Sequence, residues 1–255
     1  MIISASRKTD IPAFYSDWLM QQIGAGCTSV VNPYNGISRE VSLKPIDVDC
    51  FVFWTKNPLP IVKHLPMLDN LGYNYYFQYT LNDYQSLETN VPDLQTRLNT
   101  FKTLSDTIGK NKVIWRYDPL LLTDTLTIED LLKSIKYIGD ELHSYTDKLV
   151  FSFLDTYKKI PQGLYSPDDN QRNTIVNALL EMNTNWNLEL ATCAEAYDGV
   201  RHNACIDADL INELFGLDVS GKKDMGQRKL CMCAKSIDIG SYRTCKHGCK
   251  YCYAM

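Results

Sequence analysis

The sequence predicts an α/β fold: a (β/α)8 TIM-like barrel, distorted in its early connections, with a cysteine-rich C-terminal lid. Three observations predict it. Eight runs rich in β-branched and aromatic residues recur along the chain. Amphipathic, helix-forming stretches separate most of them, the pattern of a parallel sheet covered by helices. Nearly every run ends in polar or charged residues, as it would if the strand ends met on one face of a barrel. A doubly wound open sheet is the alternative reading of the same pattern.

Taken in order, IISAS (2–6) is the first strand, and Arg7, Lys8, Thr9 and Asp10 form its polar end. YSDWLMQQI (15–23) is the helix that follows, and TSVVN (28–32) the second strand, ending at Asn32. CFVFWT (50–55) runs into Lys56 and Asn57, and YNYYFQYT (73–80) carries Gln78 and Thr80. The connections leading into these two strands, the second and third, are short or irregular, which places the distortion there. VPDLQTRLNTFKTLSDTIG (91–109) is helical and leads to KVIWRY (112–117), with Arg116 inside the run and Asp118 just after it. TIEDLLKSIKYIGDELH (127–143) precedes LVFSFLD (149–155), with Ser152 and Asp155 at its end. DNQRNTIVNALLEMN (169–183) precedes LELATC (188–193), followed by Glu195; ACID (204–207), ending at Asp207, is the weak eighth run. Turn and cap chemistry accounts for Asp10, Asn57 and Asp118, which sit near prolines. It accounts less well for Arg116 and Gln78, which lie within apolar runs and need buried partners. Residues 1–215 form the expected barrel; 216–255, poor in periodic apolar pattern, form the cysteine-rich segment folding over its mouth.

The net charge of −4 and the ordinary composition, 45% hydrophobic and 22% charged, give no basis for broad attraction to nucleic acid or membrane surfaces. MIISASRKTD lacks the basic start and long apolar core of a signal peptide, and no run approaches a membrane span of roughly 20 residues. The expected location is the cytoplasm.

Nine cysteines are many for such a chain, and five of them fall between 231 and 252. In a reducing compartment, clustered cysteines bind metal more often than they form disulfides. Cys245, Cys249 and Cys252 have C-x3-C-x2-C spacing, with Gly248 permitting a sharp turn and Tyr251 before the third. Three thiolates suit three irons of a [4Fe-4S] cluster and leave one iron open. Cys231 and Cys233 form a C-x-C pair upstream that could supply a fourth ligand or contribute to a zinc site. On this reading metal would order the chain beyond about 230. His247, inside the loop, is placed to hydrogen-bond a cluster sulfur. Cys27 and Cys50 read as buried small hydrophobes; Cys193 and Cys205, near the last strand ends, could approach the site or pack in the core. His64 and His143 read as helix-surface residues.

MIISASRKTDIPAFY, FVFWTKNP, YYFQYTL, VIWRYDP, LVFSFLD and GQRKLCMCAKSIDIGSYRTCKHGCKYCYA together resemble a bacterial family known only as domain of unknown function 1848. The resemblance covers essentially the whole chain, brings no assigned reaction, and implies relatives that continue past YCYA. The final cysteines are similar to the cluster motif of radical S-adenosylmethionine enzymes, and YCY resembles that of spore photoproduct lyase. In those enzymes the triad follows the first strand. Here it follows the last, SRKTDIP has no cysteine, and no glycine-rich segment of the cofactor-positioning kind stands out.

Two functions follow as expectations. In one, the tail places a [4Fe-4S] cluster, with S-adenosylmethionine as a further cofactor, opposite Arg7, Lys8, Asp10, Lys56, Arg116, Asp118, Asp155 and Glu195. The basic residues suit a small anionic substrate, Asp155 or Glu195 moves protons, and an electron donor is the implied partner. Lys222, Lys223 and Arg228 could touch the same anion or lie on a solvated turn. In the other, a metal-independent barrel enzyme or binding protein is stapled by zinc or a closed cluster.

Overall fold

The structure is a computed structural model that describes residues 1–32, 35–84, 86–155 and 161–254. In chain order its elements are β1 (Ile2–Ala5), α1 (Ile11–Phe14), α2 (Ser16–Ala25), β2 (Cys27–Val31), β3 (Ser38–Ser42), β4 (Cys50–Thr55), α3 (Leu59–Val62), α4 (Leu65–Asn70), β5 (Tyr75–Thr80) and α5 (Leu94–Ile108). There follow β6 (Val113–Leu120), β7 (Leu122–Thr123), α6 (Ile128–Leu142), β8 (Lys148–Phe153), β9 (Leu164–Tyr165), α7 (Asp169–Trp186), β10 (Glu189–Thr192), β11 (Arg201–His202), α8 (Ala208–Phe215) and β12 (Ile237–Asp238).

Eight strands form one parallel sheet in the order β11-β10-β8-β6-β5-β4-β1-β12. The α/β class is as the sequence predicts, but no closed barrel forms: among the described residues the sheet ends at β11 and β12. Both edge strands are two residues long. Just beyond them, a single backbone hydrogen bond of 2.9 Å, from the Ala234 N–H to the Ile206 carbonyl, spans the gap.

Six of the eight apolar runs lie in this sheet; two do not. TSVVN pairs antiparallel with Ser38–Ser42 as a separate hairpin. Its burial alternates, with Ser29 and Val31 exposed, so it cannot serve as a strand covered on both faces. ACID is not a strand, because side chains occupy its backbone groups. Tyr76 Oη and Gln78 Nε2 donate to the Cys205 carbonyl at 2.7 and 2.8 Å, and Asp207 caps α8 by accepting from the Leu210 N–H. β1 pairs directly with β4, and the sheet is extended beyond β10 by β11 and beyond β1 by β12, which comes from the cysteine-rich segment.

The four amphipathic stretches become α2, α5, α6 and α7. Asp93 caps α5, while α6 and α7 begin with capping boxes, Thr127/Asp130 and Asp168/Gln171. Gly139 lets α6 approach α7, since a Cβ there would come within 2.3 Å of the Trp186 ring.

Strand side chains alternate between two cores. Phe51, Phe53, Phe77, Trp115 and Phe151 face the helices and pack with Leu98, Phe101, Ile135 and Leu179. Ile2, Val52, Tyr76, Ile114, Val150 and Ala191 face the other way and are covered by Ile206, Ile211 and Ala234 together with Cys205, Cys231 and Cys233. On this second face the amino-terminal halves of β1, β4, β5 and β6 are apolar, whereas β8 and β10 begin with the ion-paired Lys148 and Glu189. The carboxyl half turns polar at Ser4, Gln78, Arg116 and Ser152, all buried. Because the strands are parallel, these polar ends share one edge of the sheet.

Candidate functional site

The carboxyl ends of β1, β4 and β5 receive the last residues of the chain. Asp10 is the pivot. Its Oδ1 accepts from the Ala13 N–H and caps α1; its Oδ2 accepts from Thr55 Oγ1 at 3.0 Å and the Lys56 N–H at 2.7 Å, and lies 2.7 Å from His247 Nε2. His247 is buried, and its Nδ1 has no hydrogen-bond partner. Gly248 takes a positive φ of 68° and packs beside Thr89 and Asn90. The loop is held there by the Asn90 N–H to the His247 carbonyl at 2.9 Å, Asn90 Nδ2 to the Lys246 carbonyl at 2.8 Å and Tyr15 Oη to the Thr244 carbonyl at 2.7 Å.

Beside this loop lies a buried charge layer. Lys56 Nζ is 2.8 Å from Glu88 Oε1 and 3.0 Å from Tyr251 Oη, and Tyr251 Oη donates to the same carboxylate. Arg97 Nη1 stands 3.7 Å from Glu88 Oε2. Burial pushes the Glu88 carboxyl up, but Lys56, Tyr251 and Arg97 outweigh it and hold it below its ordinary range. Burial likewise pushes Lys56 down, and Glu88 with Cys249 more than restores it.

Asn82 joins this layer to a second one. Its Nδ2 reaches Glu88 Oε1, Tyr251 Oη and the Asp118 carbonyl at 3.3, 3.2 and 3.0 Å, and its Oδ1 accepts from the Asp118 N–H. Asp118 binds Arg116 and Ser152. Arg116 also donates to Gln78 Oε1 at 3.3 Å and to Cys205 Sγ at 3.0 Å, and its guanidinium lies 5.2 Å from the Trp54 ring centre. Arg7 packs on the same indole at 5.8 Å. These contacts supply the buried partners that Arg116 and Gln78 required.

The remaining candidates line the same edge. Lys8 Nζ lies 3.8 Å from Asp238 Oδ1, and Asp155 pairs with Arg228 at 2.5 Å. Burial pushes the Glu195 carboxyl up to about 7; Asp118 adds to the rise, and the Phe153 N–H and Arg172 hold it back. Lys8, Lys56, Arg116 and Arg228 thus face carboxylates already. A cleft of about 370 Å³ opens between the β2–β3 hairpin and β12, with Lys8, Val30, Ile37, Arg39 and Asp238 in its wall.

Seven of the nine cysteines fall into two sets; Cys50 is buried and Cys27 partly so, apart from both. Cys245, Cys249 and Cys252 interact electrostatically with one another, Cys245 also with Asp10 and Cys249 with Lys56 and Glu88. Burial raises the Cys245 thiol and pushes Cys249 up to about 12. Cys231 and Cys233 instead meet Cys205, which touches Cys193 at 3.6 Å. Among the described residues, no three or more His, Cys, Asp or Glu side chains form a ready-made single-ion site. The donor set of the C-terminal loop nonetheless suits a metal cluster in kind. It offers three thiols and a buried, partnerless ring nitrogen whose other nitrogen is fixed by a carboxylate.

A match to a family model extends over residues 2–254. The chain belongs to the family described as a domain of unknown function, DUF1848. No curated protein matches it in sequence. Among solved structures it is similar to a crystallised candidate alpha-L-fucosidase from Bacteroides thetaiotaomicron VPI-5482, at 12% identity over 69% of this chain and 76% of that one. The TM-score of 0.27 is too low for that likeness to carry any argument. No described helix of this DUF1848 member is long and apolar enough to cross a membrane.

Four residues of the site are not singled out by the sequence: Asn82, Glu88, Arg97 and Asp238. Arg97 carried a usable signal, since it sits with Leu94, Leu98 and Phe101 on the apolar stripe of α5 and so demands a buried anion. Asp238 accepts from Ser4 Oγ, Ser6 Oγ, the Arg7 N–H and the Gly240 N–H at 2.7–3.0 Å, and so ties the tail to β1. Nothing local in SIDIGS announces that.

Proposed function

We propose that this chain binds an iron–sulfur cluster through Cys245, Cys249 and Cys252, and acts at that cluster on a small anionic substrate. One observation carries the reading. Asp10–His247 and Lys56–Glu88–Tyr251 hold the C-x3-C-x2-C loop on the carboxyl ends of β1, β4 and β5, where α/β proteins bind ligands. Bound at an open iron, S-adenosylmethionine would bring reductive bond cleavage, with an electron donor as partner. The chain's own residues have definite tasks. Asp10 orients His247, Lys56 offsets thiolate charge, and Arg7 on Trp54 presents a cationic plane suited to an anion. Glu195, with its raised carboxyl, is the proton-transfer candidate. The cleft walled by Lys8 and Arg39 is the substrate's approach. The backbone bridge from Ala234 to Ile206 supports reading the sheet as a barrel interrupted at this one seam. The reading places the chain in the cytoplasm.

A second reading is favoured by His247. A histidine whose Nε2 is fixed by a carboxylate is the usual arrangement of a metal ligand, and Nδ1 would then close a Cys3His zinc site or cluster as a structural staple. Anaerobic reconstitution separates them. The first reading expects about four irons and four sulfides per chain, lost in Cys249→Ser, with a spectrum that shifts on adding S-adenosylmethionine. Zinc alone, with no iron taken up, sinks it.

A further inference from the structure

A second set of thiols meets beside Arg116. Cys193 follows β10, Cys205 follows β11, and Cys231 and Cys233 come from the tail. Cys205 Sγ is 3.6 Å from Cys193 Sγ, and the Cys233 thiol interacts with both Cys205 and Cys231. Cys205, Cys231 and Cys233 are buried, and Cys193 is partly so. N–H donors point at the sulfurs: Arg116 Nη1 and Asn203 Nδ2 at Cys205, at 3.0 and 3.2 Å, and the Ile206 N–H at Cys233, at 3.4 Å. Arg228 Nη2 lies 3.7 Å from Cys193 Sγ, and Arg7 acts electrostatically on Cys231.

We propose that Cys193, Cys205, Cys231 and Cys233 form a tetrathiolate site for one zinc-class divalent cation, separate from the C-terminal cysteine triad. Sulfurs held at about 2.3 Å from a tetrahedral ion sit about 3.8 Å apart, close to the 3.6 Å between Cys193 and Cys205. Four thiolates round a divalent ion carry two net negative charges, and guanidinium and N–H donors are what a buried anion of that kind needs. Buried neutral thiols, being weak acceptors, would give Arg116 much less in return. The four sulfurs lie as a chain, Cys193–Cys205–Cys233–Cys231, not as a closed shell, so side-chain rotations complete the site as the ion binds and the thiol protons leave. The ion would pin the 228–234 segment onto the loop before α8 and so strengthen the seam between Ala234 and Ile206.

The test uses the full chain, purified anaerobically under a thiol reductant. Metal analysis is expected to find about one zinc per chain that survives Cys249→Ser and is lost in Cys205→Ser and in Cys193→Ser. Should those variants fold poorly, cobalt titration of the Cys249→Ser chain reads the same site. It predicts saturation at one equivalent, with thiolate charge-transfer and tetrahedral ligand-field bands. Three results would overturn the proposal: no zinc or cobalt held by the Cys249→Ser chain, zinc undiminished in folded Cys205→Ser, or a Cys193–Cys205 disulfide in peptide maps of the reduced preparation.

Discussion

Replacing Glu88 by alanine is the sharpest test of how the tail is held. Glu88 is buried against Lys56 at 2.8 Å and Arg97 at 3.7 Å, and its loss leaves two cations without their carboxylate. Lys56 is 14% exposed at its side chain and Arg97 2%, so water reaches neither freely. Removing one partner of a buried pair costs about 3–5 kcal/mol. In a chain of this size each kcal/mol moves the midpoint by roughly 2–4 °C, so the melting temperature should fall by roughly 6–20 °C. Glu88 titrates below its unfolded value, so its stabilisation is present above about pH 4.5 and is lost as pH falls through the lower folded value. Lys56 titrates above its unfolded value, so its share is present below about pH 10.5 and is lost as pH rises through the folded value. Urea unfolding at neutral pH and at successive pH values below about 4.5 reads both the loss and its pH dependence. Hydrogen exchange should show lost protection at Lys250, whose N–H bonds the Leu87 carbonyl. A loss under about 1 kcal/mol, or unchanged exchange at Lys250, would refute the reasoning. Lys56→Met and Arg97→Met combined with Glu88→Leu should recover most of the stability, because neither cation is then stranded beside the tail.

Other positions give independent checks. Asp10→Asn frees His247 and should lower metal retention about 10–100-fold against a chelator, with the sheet intact by circular dichroism. Gly240→Ala drives a Cβ to 2.0 Å from Ser6 Oγ; it should cost about 1–3 kcal/mol and speed proteolytic cutting after Lys235. Glu195 titrates near 7 when folded and about 4.5 when unfolded, so it lowers stability as pH rises across that interval. Glu195→Gln should remove that slope and leave the protein about 3 kcal/mol more stable at pH 8.

The central strands β1, β4, β5, β6, β8 and β10 were legible because burial on both faces makes their sequences almost wholly apolar. TSVVN misled because its β-branched residues suit a half-exposed hairpin as well as a core strand. The two-residue edge strands β11 and β12 are too short for any periodicity to show. In the site, Arg116 and Gln78 announced themselves by charge and polarity inside apolar runs, and C-x3-C-x2-C by its spacing. Glu88 with Tyr251, and Cys205 with Cys233, meet only because the tail returns to the strand ends; no pattern along the chain records that return. The same fold separates Cys231 and Cys233, grouped by sequence with the final triad, into the neighbourhood of Cys193 and Cys205.

The central claim is a cluster on Cys245, Cys249 and Cys252 with one iron not bound by cysteine. A Mössbauer spectrum of the Cys205→Ser chain, reconstituted anaerobically with enriched iron, reads this directly. The account predicts a [4Fe-4S] signal containing one distinct iron site that shifts when S-adenosylmethionine is added. The same variant retaining no iron, or giving four equivalent, unresponsive sites, would contradict it.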